Sequence, residues 1–252
     1  MPRKPGKHTS YFELVDAQPQ SGCPICRLAY KATSRYLDSL LYEAVLDPDV
    51  RDKLKNSQGF CAEHVDVLTH KPGRALGVAL IYRDILRAVA DTLDKADYQQ
   101  EPSPLSRLLR KGSGGNATVG RLQAHAQCPA CVISEQSERD YIQLLLAHLD
   151  DEKLYTAYTQ GEGLCLRHLI VALEAAPDEA TFHRLIEPQA ERYRLMMRDL
   201  DEFIRKRDHR FQGEKYGEEG DVWLRVMNTI IGGAGMGLSA KSGGRRSPNL
   251  DE

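Results

Sequence analysis

Cys23-Pro24-Ile25-Cys26 with Gly59-Phe60-Cys61-Ala62-Glu63-His64, and Cys128-Pro129-Ala130-Cys131 with Gly163-Leu164-Cys165-Leu166-Arg167-His168, are two passages of one pattern. Each reads C-P-x-C followed by G-x-C-x-x-H, with 34 residues between the second and third cysteines in the first copy and 33 in the second. All six cysteines and two of the eight histidines fall in this pattern, which scattered core cysteines have no reason to produce. A shift of 105 residues also lays Tyr36, Leu37, Leu40 and Leu41 on Tyr141, Ile142, Leu145 and Leu146, so the repeat extends past the cysteines.

Helix geometry explains the spacing. Proline suits the first helical position, where its missing N–H would be unsatisfied anyway, so Pro24 and Pro129 are expected to open helices with Cys23 and Cys128 at the caps. Residues three apart share a helix face, which brings the two thiols of each C-P-x-C together and sets Cys61 beside His64 and Cys165 beside His168. The preceding glycines can make the turn into the helix. Positive helix N-termini lower a thiol's pKa and favour the thiolate that a metal needs. Three thiolates and one imidazole make a tetrahedral set of the kind that holds structural zinc, expected here as one ion per repeat: Cys23, Cys26, Cys61 and His64, then Cys128, Cys131, Cys165 and His168.

Three other readings fit parts of the pattern. Buried thiols without a metal leave the matched histidines unexplained. A thioredoxin-like C-x-x-C needs a preceding strand, and neither motif has one. An iron–sulfur cluster accepts cysteine with occasional histidine and stands as the alternative to zinc.

The paired motifs, together with Phe203-Ile204-Arg205-Lys206-Arg207-Asp208-His209-Arg210-Phe211 and Glu218-Glu219-Gly220-Asp221-Val222-Trp223, resemble an uncharacterised prokaryotic family of unknown function over most of residues 10 to 232. That resemblance implies a metal site and chain boundaries, and no reaction.

A chain of 252 residues can bury a sizeable core, and its net charge of −2 gives no general reason to bind nucleic acid. The longest apolar run, Ala75 to Tyr82, is too short to span a bilayer, and the basic N-terminus lacks the apolar core of a signal peptide. Reduced cysteines then point to the cytoplasm.

The apolar spacing predicts a helix from Pro24 to about Leu46 that stops at Asp47-Pro48, and its counterpart from Pro129 to about Leu149 that breaks at Asp150-Asp151. The chain must return to the second ligand pair in both cases, so the metal is expected to clip a helical hairpin. Long amphipathic helices follow each C-x-x-H, from about Gly73 to Ala96 and from about Asp178 to Arg207, the latter kinked or split by Pro188. Between the halves, Pro102, Pro104 and Lys111-Gly112-Ser113-Gly114-Gly115 predict a flexible linker with a short helix at Leu105 to Arg110. The basic run Arg205 to Arg210 reads as cations suited to a helix C-terminus, or as a contact for an acidic partner. Among the other histidines, His148 is the best spare ligand. Di-iron, phosphate-loop and nucleophile-elbow motifs are absent from the sequence.

The expected fold is all-α, in two duplicated helical units at 1–98 and 121–231, joined by a linker at 99–120 and followed by a disordered tail at 232–252. Each unit should bind its own ion. The expected function is that of a metal-binding scaffold or adaptor with two zinc ions and a protein partner, leaning away from an enzyme; the alternative is an iron–sulfur protein in electron transfer or redox sensing.

Overall fold

The computed structural model describes residues 6–96, 117–211 and 213–233, and every regular element among them is helical. In chain order these are α1 (Thr9–Ala17), α2 (Pro24–Glu43), α3 (Pro48–Asn56), α4 (Ala62–Thr69), α5 (Ala75–Asp94), α6 (Ala117–Leu122), α7 (Pro129–His148), α8 (Glu152–Gln160), α9 (Leu166–Glu174), α10 (Glu179–Arg207) and α11 (Val222–Ile231), with two short 3-10 turns between α10 and α11. The all-α expectation therefore holds. The expected helix at Leu105 to Arg110, most of the linker and the tail from residue 234 lie outside the described residues.

Helix order repeats as the motifs do. A helix of 20 residues opens each series (α2, α7), one of 9 residues follows (α3, α8), then a short helix carrying the histidine (α4, α9) and a long one (α5, α10). The breaks fall where Asp47-Pro48 and Asp150-Asp151 place them. Asp47 caps α3 by accepting from the N–H groups of Asp49 and Val50, and Asp151 caps α8 by accepting from that of Leu154. Helix α10 is not split at Pro188. One lost backbone hydrogen bond is offset there by a buried face, Leu185, Gln189, Arg192 and Met196, that continues across the proline.

The compact units are not the sequential halves. One comprises residues 1–32 and 135–252, the other residues 33–134. Their boundaries fall inside α2 and α7 rather than in the glycine-rich linker. In the first unit Tyr11, Leu14, Ile25 and Leu28 are buried with Ile142, Leu145, Leu154, Tyr158, Leu164 and Leu185. In the second, Leu37, Leu40, Leu41 and Leu54 are buried with Phe60, Leu68, Ile81 and Ala130. Thus α2 begins in one core and continues into the other, and α7 does so in the opposite sense. The apolar positions that coincide under the 105-residue shift, such as Leu40 and Leu145, serve equivalent places in different cores.

Candidate metal centres

All four ligand pairs occupy the same local position, the N-cap and third residue of a helix. The carbonyls of Cys23, Cys61, Cys128 and Cys165 each accept the first i+4 hydrogen bond of their helix, from Arg27, Val65, Val132 and Leu169 at 2.8 to 3.2 Å. Gly59 and Gly163 have φ of +89° and +77°, a left-handed conformation that turns the chain into α4 and α9 at low cost only for glycine.

Tertiary structure joins these pairs across the repeats. Cys23 and Cys26 meet Cys165 and His168, all in the unit of residues 1–32 and 135–252 (site 1). Cys61 and His64 meet Cys128 and Cys131 in the unit of residues 33–134 (site 2). The eight residues named from the sequence are thus all brought into Cys3His clusters. The expected sets, Cys23 and Cys26 with Cys61 and His64, and Cys128 and Cys131 with Cys165 and His168, are not the ones formed. The reason is topological: α2 carries Leu37, Leu40 and Leu41 into the core of residues 33–134 while its first turn, with Cys23 and Cys26, stays in the other core.

Donor spacing matches a single tetrahedral ion. With arms of about 2.3 Å to sulfur and about 2.0 Å to nitrogen, the edges of a tetrahedron are about 3.8 Å between sulfurs and about 3.5 Å from sulfur to nitrogen. In site 1 Cys26 Sγ lies 3.8 Å from Cys165 Sγ, and His168 Nδ1 lies 3.3 to 3.4 Å from the three sulfurs. In site 2 Cys61 Sγ lies 3.6 Å from Cys131 Sγ, and His64 Nδ1 lies 3.1 to 3.7 Å from the three sulfurs. Within each cluster the donor atoms all fall within 4.8 Å of one another. All six cysteines are free thiols, and each cluster stands at two helix N-termini whose partial positive charge favours thiolates.

The supports around the clusters were not legible in the motifs. In site 1 His168 turns its Nε2 towards Glu138 Oε2 at 3.4 Å, and Arg167 Nη2, 3.1 Å from the same nitrogen, reaches Glu138 Oε1 at 2.7 Å. A metal on Nδ1 leaves the ring proton on Nε2, where the carboxylate accepts it and fixes the ring. Partial burial would raise the Glu138 pKa, but the hydrogen bonds from His168 and Arg167 outweigh it and hold the carboxyl below its usual range. Burial also pulls His168 towards neutrality, yet Cys165, Cys26 and Glu138 set its pKa at about 11, so the surroundings call for positive charge there. Glu138→Gln is expected to weaken metal binding at site 1 by roughly 10–100-fold while leaving site 2 unchanged, which competition with a graded chelator would measure.

Each G-x-C turn has its own brace. The Leu164 N–H donates to Gln189 Oε1 (3.2 Å) and Gln189 Nε2 donates back to the Leu164 carbonyl (2.9 Å), with Arg192 donating to the Gly161 carbonyl (2.7 Å). In the other unit the Phe60 N–H donates to the Tyr82 hydroxyl at 3.2 Å. These braces come from the long helices after each motif, whose apolar stripe was visible but whose polar contacts to the turns were not. Gly232, placed by its sequence in the disordered tail, instead stands over site 1. A Cβ there would lie 3.2 Å from Cys165 Sγ and 3.4 Å from Cys26 Sγ, and its φ of +83° is one that glycine adopts readily.

The remaining candidates fall elsewhere. His148 is buried with its ring edge-on to Tyr11 (centroids 5.3 Å apart) and belongs to neither cluster. The basic run is held by carboxylates: Arg205 by Glu202 and Glu214, Lys206 by Glu202 and Glu219, and Arg210 by Asp208. No helix among the described residues is long and apolar enough to cross a membrane.

Residues 10–236 match the family model described as "Family of unknown function (DUF6062)". The chain belongs to that family. It is also 24% identical over 222 residues to a protein of Caldicellulosiruptor sp. (strain Rt8B.4) described as an uncharacterized 23.9 kDa protein in the xynA 3′ region, covering 87% of this chain and 99% of that one. No solved structure matches it.

Proposed function

We propose that this member of the family is a non-enzymatic helical scaffold or adaptor, internally duplicated and held together by two structural zinc ions. The observation that carries this reading is the spacing of the donors, all within 4.8 Å of one another in each cluster. Four protein ligands around one ion leave no open position for a substrate, which is the arrangement of structural rather than catalytic zinc. An iron–sulfur cluster interposes several irons and sulfides between its protein ligands, and so spreads them further than the edges of one tetrahedron. Mixed sulfur and nitrogen donors suit zinc among the available divalent ions. Free thiols kept for metal binding fit the cytoplasm. Exposed apolar side chains such as Met227, Ile230 and Ile231 on α11 support a protein partner.

The test is metal analysis of anaerobically purified protein. A colourless sample with two zinc ions per chain is expected. Visible absorption accompanied by iron and acid-labile sulfide would overturn the zinc reading in favour of electron transfer or redox sensing.

A further inference from the structure

The two clusters have the same ligand types but not the same surroundings. Site 1 has the Gly232 backbone against two of its sulfurs and a carboxylate on its imidazole. Its Cys165 and His168 are each 1% exposed. In site 2 the two cysteines Cys61 and Cys131 are both partly exposed, and no glycine among the described residues closes on a thiol there. The repeat counterpart of Glu138 is Thr33, whose buried hydroxyl has no hydrogen-bond partner among the described residues. The G-x-C turn of site 2 is braced from its long helix by the Tyr82 hydroxyl and locally by Ser57, which donates to the Gly59 carbonyl, where that of site 1 has a doubly bonded glutamine with an arginine beside it.

Building on the zinc reading, we infer that Cys61 and Cys131 are an oxidation site for hydroperoxides, and that their oxidation releases the site 2 ion while site 1 keeps its own. The two sulfurs are 3.6 Å apart, and both residues are partly exposed where Cys128 is buried. In the step, a sulfur–sulfur bond forms between the two thiolates, which give up two electrons. The O–O bond of the peroxide breaks, takes up those electrons with two protons from solvent, and leaves as two waters when the oxidant is hydrogen peroxide. With two of its four ligands joined to each other, the zinc ion departs as Zn2+. The corresponding pair in site 1, Cys26 and Cys165, lies 3.8 Å apart with Cys165 enclosed and Gly232 close beside both sulfurs.

The experiment uses the full chain loaded with two zinc ions, hydrogen peroxide as oxidant, and a chromophoric chelator that reports free zinc. Release is expected in two phases, one ion each, with rates separated by roughly tenfold or more, the scale on which outer-shell contacts change metal binding. Unreduced peptide mapping after the first phase should find Cys61 joined to Cys131. Gly232→Ala, which sets a methyl against the site 1 sulfurs, should bring the slow phase towards the fast one and leave the fast one as it was. Glu138→Gln should act in the same direction where Gly232→Ala does not fold. Two ions released at one rate, or Cys26 joined to Cys165 first, would overturn the inference while leaving the zinc reading intact. A chain that takes up no zinc would overturn both.

Discussion

Fragments 1–100 and 119–231, made separately, are expected to hold no stoichiometric metal, and an equimolar mixture is expected to recover two ions per pair. Each fragment contains three cysteines and a histidine of one repeat, which by motif alone is a complete set. In the folded chain, however, Cys23 and Cys26 join Cys165 and His168, while Cys61 and His64 join Cys128 and Cys131. A fragment therefore carries half of each site. Losing two of four ligands forfeits much of the roughly 10–16 kcal/mol that binding contributes at a structural zinc site, and the fragment's apolar positions lose their partners as well. Leu37, Leu40 and Leu41 share a core with Ala130, and Ile25 and Leu28 share one with Leu145 and Leu164. The measurement is metal per fragment with far-UV circular dichroism, before and after mixing. One tightly held ion in either isolated fragment would show that ligands can pair within a repeat and would sink the expectation.

Cysteine substitutions should sort by cluster rather than by repeat. Cys23→Ala and Cys165→Ala, 142 positions apart, are each expected to lose the same ion and to unfold the unit of residues 1–32 and 135–252. A site worth on the order of 10 kcal/mol is comparable with the whole stability of a domain, so a single lost thiolate suffices. The double variant Cys23→Ala/Cys165→Ala should then be little worse than either single one, because the first substitution has already removed the ion. Cys23→Ala/Cys61→Ala, although confined to one repeat, should lose both ions and most of the helicity. Metal content and thermal unfolding of the singles and the two doubles decide it. If the within-repeat pair proves to be the non-additive one, the ligand sets follow the repeats and the clusters described above are not those formed in solution.

Closing these sites is a long-range event in the chain. In the site of Cys23, Cys26, Cys165 and His168 the ligand pairs are separated by residues 27–164, against residues 27–60 for a site within the first repeat. Loop-closure entropy grows only logarithmically with length, so the longer closure costs about 1 kcal/mol more. That is small beside burying Leu145, Leu154, Tyr158 and Leu164 against the first turns of the chain. Packing, rather than the reach of the linker, selects the partner.

The sequence by itself determined the eight residues that make up the two Cys3His clusters, the all-helical class and the breaks at Asp47-Pro48 and Asp150-Asp151, because each rests on interactions within a few residues. A proline at a helix's first position, a cysteine at its cap and a second donor three residues on form one face whatever the rest of the chain does. A glycine two residues before Cys61 or Cys165 makes its turn by the same local logic. Only the tertiary structure decided which pair meets which. The two C-P-x-C motifs are chemically alike, as are the two G-x-C-x-x-H motifs, so ligand type cannot distinguish a partner in the same repeat from one in the other. The choice is made by how α2 and α7 are divided between two cores. Glu138 beside His168, Gln189 beneath the Leu164 turn and Gly232 over the sulfurs were hidden for the same reason: each is remote in sequence from the ligand it supports, and nothing in its neighbours' spacing points there.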